Sequence, residues 1–126
     1  MIEKLNQILQ GLLKNPIVDE YDSRSWHVRK YGNGEVVIRG EIEEVVNTTQ
    51  MWGTTNIAST NLITKQLPLN VTDATCQITG RGSSASTWIT EQYTDGASVS
   101  YKFSTYAQNL GQITVKAVVT IYGRWK

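Results

Sequence analysis

The residues able to do chemistry are few: one histidine, one cysteine, and eleven acidic side chains spread over 126 residues. Nucleophilic catalysis needs a base and an orienting group around a serine or thiol. No G-x-S-x-G motif accompanies any serine, and Cys76 stands among strand-forming residues as a small buried apolar side chain would. His27 has the opposite parity to Trp26 and Val28, which points it outward or toward a subunit interface. A glycan hydrolase needs two opposed carboxylates. The candidates are Glu41, Glu43 and Glu44, or Glu91 with Asp95; Glu41 and Glu43 share the solvent parity of a strand, the ordinary place for charge. The run Gly80-Arg81-Gly82-Ser83-Ser84-Ala85 has the letters of a dinucleotide fingerprint without its βαβ context, and is expected to be a loop. No metal site, cofactor or catalytic residue is expected.

The chemistry left is recognition. A sugar packs its C–H face on an aromatic ring while polar side chains meet its hydroxyls. Arg81, Trp88, Tyr93 and Asp95 form one candidate saccharide site, and Trp52 with Asn56 another. The alternative for each is a place in the core or at a subunit interface. Twelve basic against eleven acidic residues give a net charge of +1, and no basic stripe with interleaved aromatics occurs, so neither nucleic acid nor membrane is an expected partner. A lone cysteine leaves stability to packing or association. The N-terminus lacks the apolar run of a signal peptide and no stretch is long enough to span a bilayer, which predicts synthesis and folding in a cytoplasm.

Two kinds of element must hold these residues. In the first stretch Ile2, Leu5, Ile8, Leu9, Leu12 and Leu13 recur at spacings of three and four, predicting an amphipathic helix that ends near Asn15, before Pro16. Such a helix is marginal alone, so its seam of Ile2, Leu5, Leu9 and Leu12 either folds back or pairs with copies of itself. Residues 17–126 are rich in Thr, Val, Ile, Ser and Gly and predict an antiparallel β-sandwich. Ser25–Tyr31 and Glu35–Glu43 alternate around Gly32-Asn33-Gly34 as a hairpin, with Trp26, Val28, Val36, Ile38 and Ile42 inward. Further strands are expected within Leu62–Val71, Ala74–Thr79, Ser86–Glu91, Val99–Phe103 and Ile113–Trp125. Turns are expected at Gly80–Ser84, Thr94–Gly96 and Gln108–Gly111.

The hairpin RKYGNGEVVIRG entered by a Trp-containing strand, the Leu-Pro strand Gln66-Leu67-Pro68-Leu69, and the terminal strand closing on Gly123-Arg124-Trp125-Lys126 follow one another in a characteristic order. This resembles the C-terminal head domains of bacteriophage and prophage minor tail, tail-fibre and receptor-binding proteins. The likeness runs in patches from Trp26 to Lys126, most specifically in the hairpin and the last four residues. It implies a stem-and-head molecule: residues 1–16 a helical stem, residues 17–126 a β-sandwich head ending naturally at Lys126, and three copies associated on the stem axis. It further implies a tail or baseplate component of the virion, partnered by other phage tail proteins, that adheres to a host cell-wall saccharide without cleaving it. The rival readings are a purely structural virion protein and a glycan-cleaving appendage.

Overall fold

The computed structural model describes residues 15–82 and 86–126. These residues are mainly strand, in antiparallel ladders, with no helix among them. The predicted helix and its seam of Ile2, Leu5, Leu9 and Leu12 lie outside the described residues. Nine strands follow in order: β1 (Ile17–Ser23), β2 (Trp26–Tyr31), β3 (Glu35–Met51), β4 (Ile57–Thr60), β5 (Ile63–Gln66), β6 (Thr72–Gly82), β7 (Thr87–Thr94), β8 (Ser98–Tyr106) and β9 (Gln112–Arg124).

One ladder runs β1-β2-β3-β9-β6. In the other, β8 pairs with β7 on one side and with β4 and β5 on the other, and the last residues of β3 join through β4. The predicted hairpin is present, with Trp26 opposite Gly40 and Val28 opposite Ile38. Its turn closes with Gly34 N–H donating to Tyr31 O at 3.0 Å. Trp26, Val28, Val36 and Ile38 are buried as the period of two requires. They share one core with Val115, Ala117, Val119 and Ile121 of β9 and with Val99, Tyr101 and Phe103 of β8. The terminal apolar alternation, Ile113 to Trp125, therefore becomes an interior strand between β3 and β6.

The two most specific motif segments touch. Trp125 N–H donates to Gly34 O at 2.9 Å, its indole N–H to Tyr31 O at 3.0 Å, and Arg124 Nη2 to Asn33 O at 2.9 Å. Lys30 Nζ sits 5.2 Å from the Trp125 ring centroid, within cation–π range. The final Gly-Arg-Trp-Lys thus staples the hairpin turn, a physical reason for these two segments to occur together.

Several expectations are corrected. β1, unforeseen, follows Pro16 at once as the outer strand beside β2, and Pro16 O accepts from Gly32 N–H at 2.8 Å. The second hairpin arm runs on to Met51, and β4, unforeseen, pairs with its end. Within Leu62–Val71 only Ile63–Gln66 is strand, while Leu67 and Val71 plug the core from a loop that Pro68 excludes from a ladder. Gly80-Arg81-Gly82 belongs to β6 and is no loop; Ser83 to Ala85 lie outside the described residues. A Cβ on Gly80 would come within 2.6 Å of Phe103 Cε1 and 2.7 Å of Ile89, so this glycine permits close approach of β6 to β7 and β8.

Candidate functional site

On the outer surface of the first ladder, His27 stands where parity predicted, with its ring 44% exposed. Its Nδ1 lies 2.6 Å from Asp22 Oδ1 and its Nε2 3.0 Å from Glu20 Oε1, both carboxylates on β1; Arg39 is its cross-strand neighbour on β3. The bond to Asp22 foremost, then that to Glu20, raises the imidazole above its ordinary 6.5. A raised folded value means that this contact stabilises below the unfolded pKa and is lost as pH rises through the folded one. The ring resonances of His27 are expected to titrate with a midpoint above 6.5, moving down toward it in Asp22→Asn; a midpoint that ignores the substitution would refute this pairing. Cys76 is half-buried, and burial pushes its thiol up, away from reactivity.

Of the hydrolytic carboxylate candidates, Glu41, Glu44, Glu91 and Asp95 are held elsewhere, and Glu43 is exposed on β3 in register with Lys116. Glu41 lies 3.6 Å from Lys116, and Glu91 lies 4.0 Å from Lys102. Asp95 caps the β7–β8 turn, accepting from Ala97 N–H at 2.9 Å and Ser98 N–H at 2.8 Å, and the Ser98 and Ala97 amides hold it below the usual carboxylate range. Glu44 shares the inward parity of Ile42 and Val46 and pairs with Lys65 at 2.9 Å. Glu44 Oε1 and Tyr101 Oη are buried without a well-formed hydrogen bond among the described residues. Burial first, and then the Glu44 carboxylate, push the tyrosine well above its ordinary value.

The aromatic candidates gather on the outer face of the second ladder. Directly opposed residues of antiparallel strands share a face. Ala58, Thr87 and Thr105 point inward, so the row Gln50, Ser59, Ser104, Trp88 across β3, β4, β8 and β7 takes the opposite face, on which Gln50 and Trp88 are exposed and Ser59 and Ser104 are buried. The next row contains Trp52, whose N–H donates to Ile57 O, then Ile57 and Tyr106. Trp52, Trp88 and Tyr106 are 42%, 38% and 61% exposed. Asn56 Nδ2 donates to Tyr106 Oη at 3.3 Å. Trp52 with Asn56 and Trp88, read from sequence as parts of two sites, therefore stand on one surface, joined by Tyr106. Tyr106 was missed, although the alternation of β8 continues through it.

Tyr93 belongs to the same surface because β7 is bulged. Ile89 opposes Phe103 and Glu91 opposes Lys102, leaving Thr90 as an extra residue. In an even strand, positions 88 and 93 would lie on opposite faces; one inserted residue restores them to the same one. Tyr93 opposes Ser100, which bonds Thr64 Oγ1 at 3.0 Å. Arg81 is not part of this surface. It opposes Lys116 on the outer face of the first ladder, since its neighbour Gly80 faces the core. Of the first predicted group, Trp88 and Tyr93 are brought together, Asp95 is a turn residue at the end of the same hairpin, and Arg81 is separated.

Comparison of the chain with protein-family models, curated proteins and solved structures finds no match.

Proposed function

We propose that this chain is the head protein of a phage or prophage tail appendage, of receptor-binding or baseplate type, that adheres non-covalently to a saccharide on the host cell surface. The observation carrying the binding reading is the outer face of β4, β8 and β7, where Trp52, Tyr106, Trp88 and Tyr93 stand exposed near the exposed Asn56, Thr64 and Thr90, while Ser59, Ser100 and Ser104 between them are buried. Exposed aromatics grouped on a firm sheet, with the exposed hydroxyls of Thr64 and Thr90 and the amide of Asn56 near them, suit the C–H faces and hydroxyls of a sugar. The tail assignment rests on the resemblance of the hairpin and the terminal Gly-Arg-Trp-Lys. The staple between those segments supports it by giving them a common structural purpose.

In this reading the nine strands form a β-sandwich, and residues 1–16 form the stem on which three copies associate. Weak single sites gain effective affinity when carried on one axis. No cofactor, metal or catalytic residue takes part, and the protein, made in the bacterial cytoplasm, resides in the virion tail beside other tail proteins.

The test is binding of purified protein to a panel of bacterial cells, with molar mass measured by light scattering. A mass of three chains, lost on truncation to Ile17, supports the stem. Trp88→Ala is expected to leave the fold and mass unchanged and to reduce cell binding about tenfold or more, since one aromatic contact is worth about 0.5–1.5 kcal/mol per site and three sites act together. A Trp88→Ala protein that binds normally would displace the site from this face. Assembly with tail components without binding to any cell would instead make the chain a purely structural virion protein, and release of reducing ends from cell wall would make it a glycan-cleaving one.

A further inference from the structure

We infer that the ligand is an extended, uncharged oligosaccharide lying along β7 and β8, with Trp88 at one end of its track and Tyr93 at the other. This rests on the saccharide-binding reading and adds the ligand's length, direction and charge.

The bulge at Thr90 sets the track. Trp88 opposes Ser104 and Tyr93 opposes Ser100, so the two residues stand four β8 positions apart, roughly 14 Å at ~3.4 Å per residue. No single sugar ring spans that distance, whereas a short linear chain does. Both rings are open to solvent, 38% for Trp88 and 48% for Tyr93. Among the described residues β7 pairs only with β8, and β6 meets it through the inward-facing Thr87, Ile89 and Gln92, so the face carrying Trp88 and Tyr93 stays open to a chain.

The charge of the ligand follows from what lies between and beyond the rings. Glu91 and Lys102 are opposed midway, 4.0 Å apart, with Glu91 the more exposed at 52% against 31%. Asp95 follows Tyr93 at the turn. Among the described residues the single cation on the track, Lys102, is thus matched by Glu91, and Asp95 leaves its far end negative. A polyanion laid here would meet both carboxylates, and like charges in juxtaposition reject a partner. Hydroxyls can instead donate to Glu91 and accept from Lys102 without a change of charge.

The experiment competes bound protein off whole cells with size-graded uncharged oligosaccharides released from the wall of a bound bacterium, and separately with a glycerol-phosphate polymer. Competition by the uncharged series is expected to strengthen from monosaccharide to about tetrasaccharide and then level, while the anionic polymer competes weakly. Tyr93→Ala, checked for an unchanged melting temperature, is expected to weaken the long oligomers roughly five- to tenfold and leave the monosaccharide unchanged, which flattens the dependence on length. If the monosaccharide competes as well as the longest chain, if Tyr93→Ala changes nothing, or if the anionic polymer is the better competitor, the inference fails while the binding reading stands. If no cell is bound in the first place, the binding reading fails and takes the inference with it.

Discussion

Gly96→Ala is expected to lose about 3 kcal/mol or more of unfolding free energy, a large part of what a domain of this size holds. Gly96 has φ +91° in the β7–β8 turn, a region where a side chain costs energy by itself, and an added Cβ would run into the carbonyl oxygen of Val71. That carbonyl cannot yield easily, because Val71 is buried and its N–H donates to Gly96 O at 2.8 Å. Two other glycines separate the causes. Gly53, at φ +58°, has nothing within 4 Å of an added Cβ, so Gly53→Ala isolates backbone strain and should cost about 1 kcal/mol. Gly111 also has open space and lacks a left-handed φ, so Gly111→Ala should be close to neutral. Urea unfolding of the three proteins should rank them in that order. A Gly96→Ala protein no weaker than Gly53→Ala would show that the loop carrying Val71 gives way.

The second large effect is expected at Gly40, where Gly40→Ala should cost about 2–3 kcal/mol by overpacking. Gly40 directly opposes Trp26, and a Cβ there would lie 2.5 Å from the indole Cε3, 2.7 Å from its Cζ3, and 3.2 Å from Ser25 O. The indole is 6% exposed and packed in the core, so it has little room to retreat. The mechanism predicts coupling: Trp26→Leu removes the ring that the added methyl group would strike, so the double substitution should cost less than the two singles together, by ~1 kcal/mol or more. Strict additivity in urea unfolding would place the cost of Gly40→Ala somewhere other than the Trp26 ring.

These two glycines also mark how much of the fold was legible. Alternation over Ser25–Tyr31 and Glu35–Glu43 around a Gly-Asn-Gly turn identified a hairpin and its inward residues, because parity and turn chemistry are local properties. The same alternation identified β9 but was silent on its place between β3 and β6, and on the turn it staples through Trp125. β1 went unseen because its residues are mostly exposed and carry little apolar period; it is held by pairing with β2. Gly80 and Gly82 read as a loop because glycine usually breaks strands. Only a crowded neighbour, Phe103 beside Gly80 and Thr87 beside Gly82, explains glycine inside one.

At the candidate site the sequence by itself determined which side chains were worth watching, since aromatics beside polar residues near turns are visible in the order of residues, while their exposure is a property of the fold. It also assigned His27 its outward direction. Tertiary structure decided which of those side chains share a surface. Parity along β7 would set Trp88 and Tyr93 on opposite faces, and only the register of β7 against β8, with Thr90 left over, returns them to one. Pairing of β3, β4 and β8 likewise brings Trp52 and Asn56 to Tyr106, across a separation of 50 residues between Asn56 and Tyr106, while placing Arg81 on another ladder. The division has one physical cause: the direction of a side chain follows from its own strand, but its neighbours follow from hydrogen bonds to strands that sequence order does not name.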